Sequence, residues 1–239
     1  MPLVHHAHRD LQMKIVYYGP GLGGKTTNLE FIHANTKADR RGKLIALETE
    51  AERTLFFDLL PMELGQFRDY RVRLHLCTVP GQIAYDTTRQ LVLKNVDGIV
   101  FVVDSQPSRL EANYESIRNL ETNLRLQGDD PDRMPLVVQY NKRDLDGVMG
   151  VQELREALFV PSGVTEIEAS ATSGTGVFDT LKAITREMLR ICPDPSTMAE
   201  GRTQSILPGR RPSMSQNLMG AGGLPAFLAR IEKERERRG

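Results

Sequence analysis

The sequence is short of most features that mark specialised protein classes. It has no net charge, with 31 Lys and Arg against 31 Asp and Glu in 239 residues. That balance argues against a nucleic-acid binder relying on bulk positive charge. It also has no long apolar run. The longest strongly apolar stretch, Ile99 to Val103, falls far short of the roughly 18 residues that would span a membrane. The opening MPLVHHAHRDLQMK contains no apolar segment of the kind that directs secretion. Cys77 and Cys192 alone cannot build a disulfide framework, so a reduced, cytoplasmic setting is expected. What remains is 40% apolar and 26% charged residues, enough for a packed core in one or two domains.

The chain divides by composition. Residues 11–192 read as one domain, and residues 1–10 as a flexible terminus in which His5, His6 and His8 have no assigned role. Residues 193–239 read as a mostly disordered tail. Between Gly201 and Gly223 it holds five glycines and two prolines, no acidic residue, and apolar side chains without a clear period. Residues 200–239 carry eight Lys and Arg against four Asp and Glu, leaving 23 basic and 27 acidic residues elsewhere. Near the end, Leu224, Phe227, Leu228 and Ile231 have helical spacing after a helix-starting Pro225, so a short helix over 224–237 is expected. A docking helix and a merely solvated one both fit that pattern.

Within the domain, short apolar runs alternate with helical patterns. The runs are 14–18, 44–47, 72–79, 98–103, 136–140 and 164–169. The helical patterns lie near 25–34, 83–93, 109–127, 151–158 and 177–189. GIVFVV and LVVQY show little polar alternation and suit strands buried on both faces. VRLHLCTV alternates and suits an edge or half-exposed strand. LFF with the following LL predicts a short helix carrying a core stripe. Strand–helix alternation makes the fold class α/β, with a mostly parallel central sheet flanked by helices. In such sheets ligands sit beyond the carboxyl ends of the strands.

The first loop in that position is Gly19-Pro20-Gly21-Leu22-Gly23-Gly24-Lys25-Thr26, which fits G-x-x-x-x-G-K-[ST] between a strand and a helix. Glycines let backbone N–H groups converge on an anion, and the helix start adds partial positive charge. Lys25 is placed to reach β- and γ-phosphates, and the Thr26 hydroxyl to ligate Mg²⁺. Thr27 continues the first helical turn. A nucleoside triphosphate follows, but not its base. The base is read from Asn141-Lys142-Arg143-Asp144. The Asp144 carboxylate can accept from guanine's two N–H donors, whereas adenine would leave it desolvated and unpaired. Asn141 can bond the base or tie neighbouring loops together, and the Lys142 stem can cover a ring face. Ser170-Ala171-Thr172 forms a third loop, where the Ala171 N–H could meet the guanine carbonyl. A kinase or ATPase built on the same phosphate loop would need a different base-reading loop. Finally Thr78-Val79-Pro80-Gly81-Gln82 ends a strand where Gly81 can donate its N–H to the terminal phosphate and Gln82 can orient water.

With YYGPGLGGKTTNLEFI, ERTLFFDLLP, TVPGQIAYD, VDGIVFVVDSQ, QYNKRDL and GTGVFDTLKA in view, residues 12–191 resemble the Ras-like small GTPases, P-loop NTPases, and among them the bacterial MglA family. That resemblance implies an intrinsic arginine finger at Arg53, a threonine at Thr54 that closes over Mg²⁺ and the γ-phosphate, and a water-positioning Gln82. From the residues alone, Arg53 after Glu50 and Glu52 reads as a solvated face residue, and Thr49 and Thr36 compete with Thr54. Thr78 stands where most Ras-like proteins carry an aspartate, a departure the MglA family shares. The resemblance further implies GTP and GDP as substrate and product, Mg²⁺ as cofactor, and a GTPase-activating partner of roadblock fold, an MglB-like homodimer. It also implies effectors of cell polarity or motility, a monomer when free, and recruitment to a cell pole. Chain-end residues offer no lipidation site, so no stable membrane anchor is expected. A GTP-gated scaffold with little hydrolysis is the alternative.

Overall fold

The computed structural model describes residues 2–47, 57–80 and 86–202. Arg53, Thr54, Gly81, Gln82, Thr49 and the expected helix over 224–237 lie outside the described residues. The strands are β1 Leu3–His5, β2 Asp10–Tyr18, β3 Ile45–Leu47, β4 Phe57–Phe67, β5 Tyr70–Thr78, β6 Gly98–Asp104, β7 Leu136–Asn141, β8 Thr165–Glu168 and β9 Gly201–Arg202. The helices are α1 Lys25–Asn35, α2 Asp86–Leu93, α3 Leu110–Leu126, α4 Val151–Ala157 and α5 Val177–Ile191. All nine strands join one sheet with the main order β3-β4-β5-β2-β6-β7-β8. Pairings from β5 through β2, β6 and β7 to β8 are parallel, while β3–β4 and β4–β5 are antiparallel.

The period-two geometry of β6 divides the core. Ile99, Phe101 and Val103 point to one face of the sheet, where α2, α3 and α4 contribute Val92, Leu120 and Leu154. Val100 and Val102 point to the other, where α1 and α5 contribute Leu29, Ile32 and Ile184. All seven β6 residues are buried, which is why its sequence shows no polar alternation. In α5, Val177, Leu181, Ile184 and Met188 recur at helical spacing and form its buried stripe. The two layers leave the carboxyl ends of β2, β6, β7 and β8 side by side at one rim.

The structure departs from the sequence expectations in three places. The LFF–LL run yields no helix among its described residues, which belong to the long strand β4. Leu60 and Met62 alternate inward against Leu76 and Leu74 of β5, and Pro61 between them has no N–H for a helical ladder. Of the two readings of 72–79, the half-exposed strand holds, because β4 and β2 flank β5 and leave it no free edge. Its alternation reflects a half-exposed face carrying Arg71, Arg73 and His75. Residues 3–5 form β1, antiparallel to the start of β2, with Val4 buried in the core. The third departure is at the other end of the domain, where ordered chain continues past residue 192. Met198 is buried, and Gly201–Arg202 add a strand to β1. His6 joins the two termini: its Nδ1 is 2.8 Å from the Tyr70 hydroxyl and its Nε2 is 2.7 Å from the Met198 carbonyl oxygen.

Candidate nucleotide-binding site

Tyr18 ends β2, and residues 19–24 carry the chain to α1, which starts at Lys25. Two glycines there are dictated by close approach. At Gly19, φ is +141°, and a Cβ would lie 2.3 Å from the Val102 carbonyl oxygen of β6. At Gly24, φ is +95°, and a Cβ would lie 2.2 Å from Asn141 Nδ2. Leu22 turns the loop with φ of +62°, and its side chain is 88% exposed. Lys25 is buried at the loop's centre, where its Nζ donates to the carbonyls of Gly19 at 2.9 Å and Pro20 at 2.7 Å. Burial pushes its pKa down to about 7; the nearby Arg89 guanidinium adds to this and Asp58 opposes it. An anion on this loop would meet an under-solvated amine whose hydrogen bonds among the described residues go to two carbonyl dipoles.

β7 ends in Asn141, whose amide ties neighbouring loops together. Nδ2 donates to the Gly23 carbonyl at 2.8 Å, and Oδ1 accepts from the Ala171 N–H at 2.9 Å. Asn141 is buried, so one side chain joins the phosphate loop, the NKRD loop and the Ser170–Thr172 loop. The Ala171 N–H, expected to face a guanine carbonyl, donates here to Asn141. Lys142 adopts φ of +66° and sends Nζ to Asp104 Oδ2 at 2.7 Å. Asp144 is exposed, and Thr172 Oγ1 donates to it at 3.2 Å. Hydrogen bonds from Ser170, from its own backbone and from Thr172 hold its carboxyl below the usual carboxylate range. It therefore presents a fully ionised acceptor at the rim. Arg143 braces the loop through Glu168 at 3.0 Å and the Met149 carbonyl at 2.6 Å.

The metal-facing side contains a residue that sequence reasoning passed over. Asp58 Oδ2 accepts from Thr26 Oγ1 at 2.7 Å and from Thr78 Oγ1 at 2.8 Å, and the Asp58 N–H donates to Thr78 Oγ1 at 2.9 Å. Strand β4 thus supplies a carboxylate beside the threonine that stands in the usual aspartate position. Its signal was present in FFDLLP but hidden by the helical reading of that run. Thr36 lies about 16 Å from the loop at the far end of α1. Its hydroxyl donates to the Ile32 carbonyl at 2.7 Å, which removes it as a rival to Thr54. Two further cations were also passed over. Arg89 of α2 is buried, and it donates to the Pro80 carbonyl at 3.0 Å and to Asn119 at 2.8 Å. Arg109 donates to the Gly21 carbonyl at 2.7 Å. Among the described residues, no three His, Cys, Asp or Glu side chains converge on a possible metal, and no helix is long and apolar enough to cross a membrane.

A mixed sheet in this strand order, with a phosphate loop after β2 and NKRD after β7, defines a small GTPase of Ras-like fold. The sequence profile of the ADP-ribosylation factor family matches residues 3–188. The chain is 53% identical over 189 residues to the mutual gliding-motility protein MglA of Myxococcus xanthus, covering 79% of this chain and 96% of that protein. It is also 26% identical to the Ras-related protein Rab7A of Mesembryanthemum crystallinum and 24% identical to Rab7 of Cenchrus ciliaris, over 77% and 79% of this chain and 86% and 87% of theirs. The chain therefore belongs to the MglA family of Ras-like small GTPases. It is a GTP hydrolase, binds GTP and GDP, and is a molecular switch.

Proposed function

We propose that GTP is held by Gly19, Gly21, Leu22, Gly23, Gly24, Lys25, Thr26 and Thr27 at its phosphates and by Asn141, Lys142, Asp144, Ser170, Ala171 and Thr172 around its base. The observation that carries this reading is the Asn141 amide, which bonds two of the loops to its own and gathers all three into one cradle at the strand ends. Lys25 is a cation poised for anions, and Asp144 is an ionised acceptor for paired N–H donors. Thr54 and Gly81 complete the set by resemblance.

The oxygen-rich pocket of Thr26, Asp58 and Thr78 fits Mg²⁺, a hard cation that takes oxygen ligands. Thr26 and Thr54 would ligate it directly, with Asp58 and Thr78 holding its water shell. When bound, Mg²⁺ neutralises charge on the β- and γ-phosphates. Gln82 orients the attacking water, while Lys25 and Arg53 stabilise the charge that develops as the γ-phosphoryl departs. An arginine finger contributes roughly 10³–10⁵ in rate once inserted. A finger carried on the chain itself acts only after its loop is ordered, so unassisted turnover is slow. A roadblock-fold, MglB-like homodimer is the proposed activator that orders it. Effectors of polarity or motility read the GTP state of a cytoplasmic monomer that is recruited to a cell pole. The name of the Myxococcus relative supports the motility role.

The test is single-turnover GTP hydrolysis with and without such an activator. Arg53→Ala and Gln82→Leu are each expected to keep GTP binding and to lose at least tenfold in hydrolysis, about 1.4 kcal/mol of barrier. Unchanged turnover in both would sink the assignments. Slow hydrolysis that no activator accelerates would favour the GTP-gated scaffold.

A further inference from the structure

β6 ends in a carboxylate that the reading above does not use. Asp104 is completely buried. Its main chain is clamped by buried Asn113, which accepts from the Asp104 N–H at 3.0 Å and donates to the Asp104 carbonyl at 2.9 Å. Its Oδ1 accepts from the Gln106 backbone at 3.2 Å and from the Gln106 side chain at 3.0 Å. Its Oδ2 faces two cations, Lys142 Nζ at 2.7 Å and Arg109 Nε at 3.7 Å. A buried carboxylate is tolerated only with such compensation. The two cations serve different loops. Lys142 belongs to the base-reading loop, and Arg109, just before α3, sends Nη2 to the Gly21 carbonyl of the phosphate loop at 2.7 Å.

That last bond controls where an amide points. In a trans peptide the C=O and the next N–H are antiparallel, so fixing the Gly21 carbonyl outward toward Arg109 fixes the Leu22 N–H in the opposite direction. Leu22 is held in a left-handed conformation that a leucine adopts at a cost, and its exposed side chain packs on little that could hold it there. The turn is held by hydrogen bonds: Gly23 N–H to the Pro20 carbonyl at 3.2 Å, and the charge-assisted one from Arg109. Lysine is a poorer fit, since the guanidinium fork meets Asp104 and Gly21 with separate nitrogens.

We infer that Arg109 is a positioning residue that keeps the phosphate loop shaped for its anion, and that Asp104 couples it to Lys142, so that the phosphate and base grips are released together. This rests on the reading of the two loops as one guanine-nucleotide cradle. Neither residue needs to touch the nucleotide. Arg109 is one-third exposed, so the brace can be reached from solvent.

The experiment is release of fluorescently labelled GDP from the full chain, loaded with magnesium and chased with excess GDP. Arg109→Ala is expected to speed release at least tenfold, and Arg109→Lys by an intermediate factor, because a single nitrogen must then serve two partners that the guanidinium meets with separate ones. Asp104→Asn is expected to speed it as well. The double variant should release no more than twofold faster than the faster single one, as both changes cut the same brace. Release from Arg109→Ala within twofold of the unaltered chain, or effects that multiply in the double variant, would overturn the inference. If Asp104→Asn does not fold, the Arg109→Ala and Arg109→Lys pair decides alone. If the unaltered chain retains no GDP, the cradle reading itself fails, and that result is distinct from retention without sensitivity to Arg109.

Discussion

At the scale of single residues, Lys25 is the most informative, because its environment makes a statement about protons. Burial and Arg89 bring its pKa down from 10.5 to about 7 in the folded protein. The unfolded chain keeps that proton to 10.5, so between those values folding releases it, and stability of the nucleotide-free protein rises with pH across that window. Phosphates at the loop would reverse the effect by favouring the ammonium. GDP binding at pH 8 is therefore expected to take up close to one proton, and at pH 6 almost none. Affinity should fall as pH rises above 7. Calorimetry in buffers of different ionisation heat measures the uptake directly. Binding heats at pH 8 that do not depend on the buffer would refute the account. Lys25 was legible in the sequence because its motif is contiguous. Asp58, Arg89, Asp104 and Arg109 were not, because each acts through a partner far along the chain. Nothing local to FFDLLP says that its aspartate will meet Thr26 and Thr78.

At the scale of elements, the strands buried on both faces were plain from composition, and so were the helices with a strong apolar stripe. β4 was not. In FFDLLPMEL, apolar residues fall at both three–four and two-residue spacing, so period alone cannot choose. The choice is made by β5, which supplies a backbone ladder along the whole hairpin. A helix and an unbroken strand would both place Leu60 and Leu64 on the same face, so the bulge in the ladder is what parts them. In β4, Leu60 is completely buried, whereas Leu64 lies beside the bulge between Glu63 and Gly65 and is 36% exposed. Leu60→Ala is thus expected to cost about 2–5 kcal/mol. Leu64→Ala should stay within about 0.5 kcal/mol. Urea denaturation of the two GDP-loaded variants checks the asymmetry, and comparable losses would contradict the strand register. The same hairpin carries Asp58 at the rim, so the correct register is also what brings a carboxylate to the metal side of the site.

At the scale of the whole molecule, the two ends of the domain meet far from the nucleotide. β1 pairs with the first residues of β2, at the end of the sheet opposite the phosphate loop. The stretch after α5 crosses back to it through buried Met198, the His6 bridge, an Arg68–Asp194 ion pair at 3.2 Å and the two residues of β9. These contacts carry the fold past residue 192 to at least Arg202, and composition could not reveal it. The short 195–202 segment has no strong pattern of its own, and its order comes from β1 and Tyr70. By composition residues 203–239 cannot bury enough surface to fold, so removing them is expected to leave the melting temperature of the GDP-bound protein unchanged within about 2 °C. Ending the chain at residue 193 strips the Met198 side chain from the core, worth about 1.5–3 kcal/mol of burial, and leaves the His6 ring without its carbonyl partner. For a domain of this size such a loss lowers the melting temperature by roughly 3–12 °C. GDP affinity should hold in both truncations, because among the described residues no contact of the terminal clasp reaches the strand ends where the loops lie. Scanning calorimetry of the two truncations beside the full chain decides it: equal melting temperatures at 193 and 202 would show that the clasp stabilises nothing, and a large drop on losing only 203–239 would show that the tail is part of the fold.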